Sequence, residues 1–156
     1  MALFLSKYLN RVDKKGRVSV PAAFRVELAE ESFAGIIVRP SFVSPALDAC
    51  GRRALQELQR GVDRFNPFTD ERAGFANAIF ASSHPTPWDG EGRVILPDRF
   101  LEHAGIVDRA LFVGLGDTFQ TWEPDRYADV EREAIALAHR QRATLAVEPA
   151  GTDGDR

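Results

Sequence analysis

A thirteen-residue phrase occurs twice in this chain, 76 positions apart. The first copy runs from Asp13 to Arg25 (DKKGRVSVPAAFR) and the second from Asp89 to Leu101 (DGEGRVILPDRFL). Six aligned positions are identical: Asp13/Asp89, Gly16/Gly92, Arg17/Arg93, Val18/Val94, Pro21/Pro97 and Phe24/Phe100. Unrelated windows of that length share about one residue, so the match reads as an internal duplication. A duplicated unit predicts two half-domains packed on each other. Differences between the copies then read as differences of task.

The local grammar of both copies is the same. Asp13-Lys-Lys-Gly16 reads as a tight turn, with Asp able to bond its own backbone and Gly supplying a positive φ. Arg17-Val-Ser-Val20 alternates polar and apolar, the period of a half-buried strand. Val18 and Val20 are expected to face the core, Arg17 and Ser19 to face outward. Pro21 suits the first turn of a short helix carrying Phe24 and Leu28. The second copy repeats this with a turn at 89–92, a strand at 93–96, Pro97, and a helix with Phe100 and Leu101 ending near Gly105.

Elsewhere the pattern predicts strands at 3–9, 35–38, 111–113 and 118–122. Ser44-Pro45 signals a helix running to about residue 60, with Leu47, Cys50, Ala54, Leu55 and Leu58 as its apolar stripe. A second helix is expected from Thr69 past Phe75 and Ile79, and a third from Pro124 to about residue 141. Residues 81–88, with Pro85 and Pro87, read as the segment joining the halves, and the polar, Gly-rich stretch 148–156 as a disordered tail. Each half, 1–80 and 81–147, is thus turn, strand, short helix, strand, longer helix. One such unit is too small to bury a core alone. Two units sharing their strands in one small barrel, with helices outside, would solve that, giving an α+β fold.

Composition bounds the function. Hydrophobic residues make up 44% and charged residues 28% of the 156, ordinary for a globular protein. No apolar run approaches the roughly 20 residues of a membrane span. Met1–Tyr8 does not read as a signal peptide, and the single cysteine, Cys50, excludes an intramolecular disulfide or a cysteine zinc site. Cys50 reads as a buried inert thiol, and the whole as a cytoplasmic protein. His84, His103 and His139 lack metal-ligand spacing, and no HExxH, Walker or GxSxG motif is present. Ser82-Ser83-His84 is adjacency, not a triad. No catalytic residue, metal or cofactor is expected.

Net charge is −3 and the pI near 5.6, but distribution matters more than the sum. Residues 11–25 carry five basic side chains (Arg11, Lys14, Lys15, Arg17, Arg25) and one acid, +4 in all. The matching window 87–101 carries two basic and three acidic side chains, −1 in all. One copy is a cationic site and the other is not. Arg17, projecting from a strand beside a turn, can reach a phosphate or fork to a guanine edge; it could instead pair with Asp13 or Asp89. Lys14, Lys15 and Arg11 flank it as phosphate contacts or as solvated surface, and Arg25 reads as a surface charge.

The two Asp-x-x-Gly-Arg signatures, each followed by a strand and a proline, resemble the paired signatures of the MraZ family of bacterial transcriptional regulators with tandem SpoVT/AbrB-type domains. The likeness runs from the first strand to the last helix. It implies a swapped-hairpin β-barrel built from both halves, a ring-like homo-oligomer, and binding to repeated elements in double-stranded promoter DNA upstream of the division and cell-wall gene cluster. The implied action is repression, at the nucleoid. The family's Asp-x-x-x-Arg element maps onto Asp13 and Arg17 and onto Asp89 and Arg93, with Gly16 and Gly92 as turn residues. The second copy has Glu91 in place of Lys15 and Ile95 in place of Ser19, so Asp89 and Arg93 read as structural or as a subunit contact. Two other readings remain open: a protein-binding module such as an antitoxin-like partner, and a structural ring without DNA affinity.

Overall fold

The computed structural model describes residues 1–145. Met1–Pro124 form one compact unit, and the chain from Asp125 a second. The first unit runs β1 (Lys7–Arg11), β2 (Arg17–Ser19), α1 (Ala22–Glu27), β3 (Gly35–Pro40), β4 (Leu47–Cys50), α2 (Arg52–Asp63), α3 (Asp70–Ala76), β5 (His84–Pro87), β6 (Arg93–Ile95), α4 (Asp98–Ala104), β7 (Arg109–Gly114) and β8 (Phe119–Trp122). The last helix, α5 (Pro124–Arg140), places Asp125 in its first turn and His139 and Arg140 in its last, the polarity a helix dipole favours. The expectation for the tail 148–156 lies outside the described residues.

The fold is mixed α+β and its strands pair antiparallel. One sheet has the order β1-β7-β8-β4-β3-β5; β2 and β6 form a separate two-stranded ribbon. Each half supplies a central hairpin, β3–β4 or β7–β8, and the hairpins meet through β4 and β8. Each hairpin is then flanked by the other half's outer strand: β1 pairs with β7, and β5 with β3. Approximate two-fold symmetry follows. The ribbon is centred on Val18 opposite Val94. In the sheet, Asp48 lies opposite Gln120, the second residue of each strand, and accepts a hydrogen bond from its Nε2 at 2.8 Å.

The sheet does not close into the expected barrel. Its ladder ends at β1 and β5, and β2 and β6 are only three residues long. Pro21 and Pro97, which have no N–H to donate, lie just beyond them and prevent longer ladders. The ribbon nonetheless supplies the lid of the core. Val18, Val20, Val94 and Leu96 are buried, with Phe24 and Phe100 from the helices that follow. The Phe24 ring meets Phe4 at 5.2 Å and Phe119 at 4.9 Å, so the first copy packs its ring on the second half's hairpin, and Phe100 joins the same hydrophobic core.

Three local expectations are corrected. The first strand begins at Lys7 rather than residue 3, because Ser6 sits at φ +71° and isolates the short Phe4–Gly116 bridge from β1. The helix expected from Ser44 is strand β4 first: Leu47 and Cys50, read as part of a helical stripe, lie in the sheet, and the helix begins only after Gly51. Cys50 is buried, and desolvation pushes its thiol pKa up to about 11. The joining segment contains β5, where Pro85 and Pro87 are tolerated because the strand is at the sheet edge.

Gly51 has no side chain with which to cap α2. Glu31 does so from the loop between α1 and β3: its carboxylate accepts from Arg52 N at 2.6 Å and Arg53 N at 3.4 Å. A carboxylate on exposed helix N–H groups also meets the positive end of the dipole. Glu31→Ala is expected to lower stability by about 1 kcal/mol, seen as a lower urea midpoint at unchanged m-value.

Candidate nucleic-acid interface

The two loops that flank the ribbon are built alike. In the first, Asp13 Oδ1 accepts from the backbone N–H of Lys15 and of Arg17, both at 2.9 Å, while Oδ2 accepts from Arg17 Nε at 2.8 Å. In the second, Asp89 Oδ1 accepts from Glu91 N at 2.9 Å and Arg93 N at 3.0 Å, and Oδ2 from Arg93 Nε at 3.0 Å. The aspartate side chain therefore closes the turn and aims the arginine. This uses the arginine's Nε and leaves its terminal nitrogens outside that contact. Gly16 and Gly92 sit at φ +80° and +79°, a conformation in which L side chains are strained.

Space demands those glycines as well. A Cβ on Gly16 would lie 2.7 Å from Leu96 O, and one on Gly92 would run into the Arg25 guanidinium. Arg25 also donates from Nε to Val20 O at 3.2 Å. It spans from the first copy to the loop of the second, a role that sequence reading as a surface charge missed. The available signal was the repeat itself: Arg25 aligns with Leu101, whose Cδ1 lies 3.5 Å from the same hypothetical Cβ on Gly16. Position thirteen of each copy covers the glycine of the other.

The ribbon brings both arginines to one face. Arg17 lies opposite Ile95, and Arg93 opposite Ser19. The Arg17 and Arg93 side chains are 36% and 34% exposed, so the two copies present them alike. Arg17 pairs within its own loop, with Asp13 rather than Asp89. Arg93 has an additional acid, Glu91 Oε2, at 3.5 Å. Lys14 and Lys15 are exposed at the tip of the first loop, while Arg11 ends β1 opposite Arg109. Beside the ribbon lies an open hollow of about 540 Å³, with Trp88, Pro87, Pro97, Arg17, Arg93 and Ile95 among the residues that line it.

The two serines that precede His84 both donate to backbone carbonyls. Ser82 Oγ donates to Asn77 O, and Ser83 Oγ to Ile79 O, closing the π-helical turn at Asn77–Ala81. Among the described residues, no group of three His, Cys, Asp or Glu side chains is placed to hold a metal ion. None of the helices searched there is long and apolar enough to cross a membrane.

Asp13 and Asp89 are both held below the usual carboxylate pKa, chiefly by the backbone N–H of Arg17 and of Arg93 respectively. A depressed folded-state pKa contributes stability that is full above the unfolded value of about 3.9. That contribution is lost as pH falls through the lower folded values. In the double variant Asp13→Asn/Asp89→Asn, the urea midpoint should therefore fall less steeply than in wild type as the pH is lowered below about 4. Parallel slopes for the two proteins would contradict the assignment.

Known proteins share this arrangement of sequence. A family model described as "MraZ protein, putative antitoxin-like" matches residues 79–147. The "Transcriptional regulator MraZ" of Rickettsia bellii (strain OSU 85-389) is 44% identical over 146 residues, 93% of this chain and 97% of its own length. Proteins of the same name from Rickettsia akari (strain Hartford) and Rickettsia felis (strain ATCC VR-1525 / URRWXCal2) are 43% and 42% identical over 145 residues, again 93% of this chain and 97% of theirs. The family model covers only the second half, whereas these relatives span both copies of the phrase.

Proposed function

The chain belongs to the MraZ family, and we propose that it is a sequence-specific DNA-binding transcriptional regulator that docks the β2–β6 ribbon and the basic Asp13–Arg17 loop on double-stranded promoter DNA. The observation that carries this is the ribbon face. Arg17, aimed by Asp13, stands on a two-stranded β-ribbon beside the exposed Lys14 and Lys15, a shape the major groove of B-DNA admits. Arg17 reads bases or grips phosphate, and Lys14, Lys15 and Arg11 add phosphate contacts that set register. Arg93, beside Glu91, works in a locally acidic loop and serves the scaffold or a subunit contact.

In this reading residues 1–80 and 81–147 are two SpoVT/AbrB-type halves whose outer strands are exchanged, and the protein acts at the nucleoid as a repressor of the division and cell-wall gene cluster. One basic loop binds weakly. Several loops on one face of a ring-like homo-oligomer engage several promoter repeats, and effective concentration supplies the avidity. Exposed apolar surface supports assembly: Phe42, Phe65 and Phe75 form a ring cluster, and Phe42 and Phe65 are exposed. Patches of this kind mark protein contacts. The same patch, with the family description as antitoxin-like, favours a second reading as a protein-binding module, for which a stoichiometric partner would co-purify.

Fluorescence anisotropy against the DNA upstream of the protein's own gene and a scrambled control tests the proposal. Arg17→Ala should lose about 5- to 150-fold in specific affinity, as expected for one bidentate base contact of about 1–3 kcal/mol. Arg93→Ala should retain most of it, both at unchanged oligomer size. Log K should fall with log salt by about 0.9 per phosphate contact. Equal, weak binding of both DNAs by wild type would remove the DNA assignment.

A further inference from the structure

The outward face of the ribbon carries four side chains, and one of them is out of character. Arg17, Ser19 and Arg93 are polar; Ile95 is apolar and 59% exposed. Symmetry makes the contrast sharp, because Ile95 occupies the position that Ser19 holds in the first copy. A β-branched residue suits a strand, but that propensity does not require exposure, and the core beneath is already filled by Val18 and Val94. The ladder places Ile95 directly across from Arg17. Cβ atoms so paired are about 5 Å apart, comparable to the spacing of adjacent base pairs at about 3.4 Å. A ribbon that seats Arg17 on a base pair would therefore bring Ile95 to the same pair or its neighbour.

In the major groove the one apolar feature of a base edge is the C5 methyl of thymine. We propose that Ile95 is a specificity-determining residue that contacts a thymine methyl beside the base addressed by Arg17. The inference rests on the DNA-binding reading above and adds a reader from the second copy. The acidic loop 89–92 is then not idle at DNA: its strand contributes an apolar reader where the first copy contributes a cationic one. The division of work between copies falls across a single cross-strand pair.

The test is a double-mutant cycle in binding. Wild type and Ile95→Ser, which installs the residue of the first copy, are titrated with the upstream fragment. In a matched set of fragments, thymines are replaced one at a time by deoxyuridine, which removes only the methyl. Wild type should lose about fourfold at one position per repeat, the value of one buried methyl-sized group. Ile95→Ser should bind the natural fragment about that much more weakly and be indifferent to the same replacement. Wild type that prefers the upstream fragment to a scrambled one, yet binds every deoxyuridine fragment equally well, overturns the methyl contact and leaves the DNA reading intact. Wild type that shows no preference for the upstream fragment overturns the DNA reading and this inference with it. An Ile95→Ser protein of altered oligomer size that still discriminates thymine from deoxyuridine overturns it too, by making Ile95 a subunit contact.

Discussion

Two hydrogen bonds tie the halves of this molecule together at the β2–β6 ribbon. Leu96 N donates to Gly16 O, and Val20 N donates to Gly92 O, both at 2.9 Å. Each loop's glycine is thus bonded to the strand of the other copy. The loops cannot relax independently, because a carbonyl at the tip of one is fixed by the residue just past the strand of the other. Everything on the ribbon face inherits its position from that reciprocity. The aspartates tighten the turns, and the arginines are aimed by the aspartates. Arg25 and Leu101 cover the glycines from outside. A ribbon of three-residue strands would be marginal alone. Here its inner valines are part of the aromatic core, so its rigidity is that of the whole unit.

On this shared frame the one substitution inside the core, Val20 against Leu96, keeps an aliphatic side chain, and the changes of charge and polarity fall on positions outside it. Lys15 against Glu91 and Ser19 against Ile95 change charge and polarity at exposed sites. The residues that close the turns are the same. A duplicated frame therefore carries two chemistries without two architectures. Arg25 against Leu101 is instructive in the opposite sense. A cation and an aliphatic chain do the same covering work, Arg25 by laying its guanidinium over a backbone that a Cβ would obstruct. Similarity of task is not always visible as similarity of type.

How much was legible in the sequence follows from the range of the interactions involved. The turn at Asp13–Gly16, the alternation of Arg17–Val20 and the helix after Pro21 are decided within a few residues, and they were readable. The start of α3 near Thr69 was readable for the same reason; the structure adds that the Thr69 side chain caps it, accepting from Arg72 N. Strand β4 was not. Leu47, Cys50, Ala54 and Leu55 fit a helical stripe, and only the pairing of β4 with β3 and β8 decides otherwise. Strand β5 was hidden by its two prolines, which mark loops unless a strand has one unpaired edge. The pairing of each hairpin with the other half's outer strand is invisible to any local pattern. The turn made by Asp13, Gly16 and Arg17 was legible by type and spacing, whereas the covering role of Arg25 needed the second copy placed against the first.

The exchange of outer strands sets an order of events during synthesis. Strand β1 lies at residues 7–11, yet its ladder partner β7 lies at 109–114. At about 5–20 residues per second, the ribosome delivers that partner roughly 5–20 s after β1 itself. The ribbon waits nearly as long, since Arg17–Ser19 pair with Arg93–Ile95. For that interval the nascent chain holds one strand of the sheet edge and half of the ribbon without mates, while the β3–β4 hairpin can already form. The first copy is made first but becomes structured only when the second arrives, so a truncated chain carrying the basic loop alone has no ribbon on which to present it.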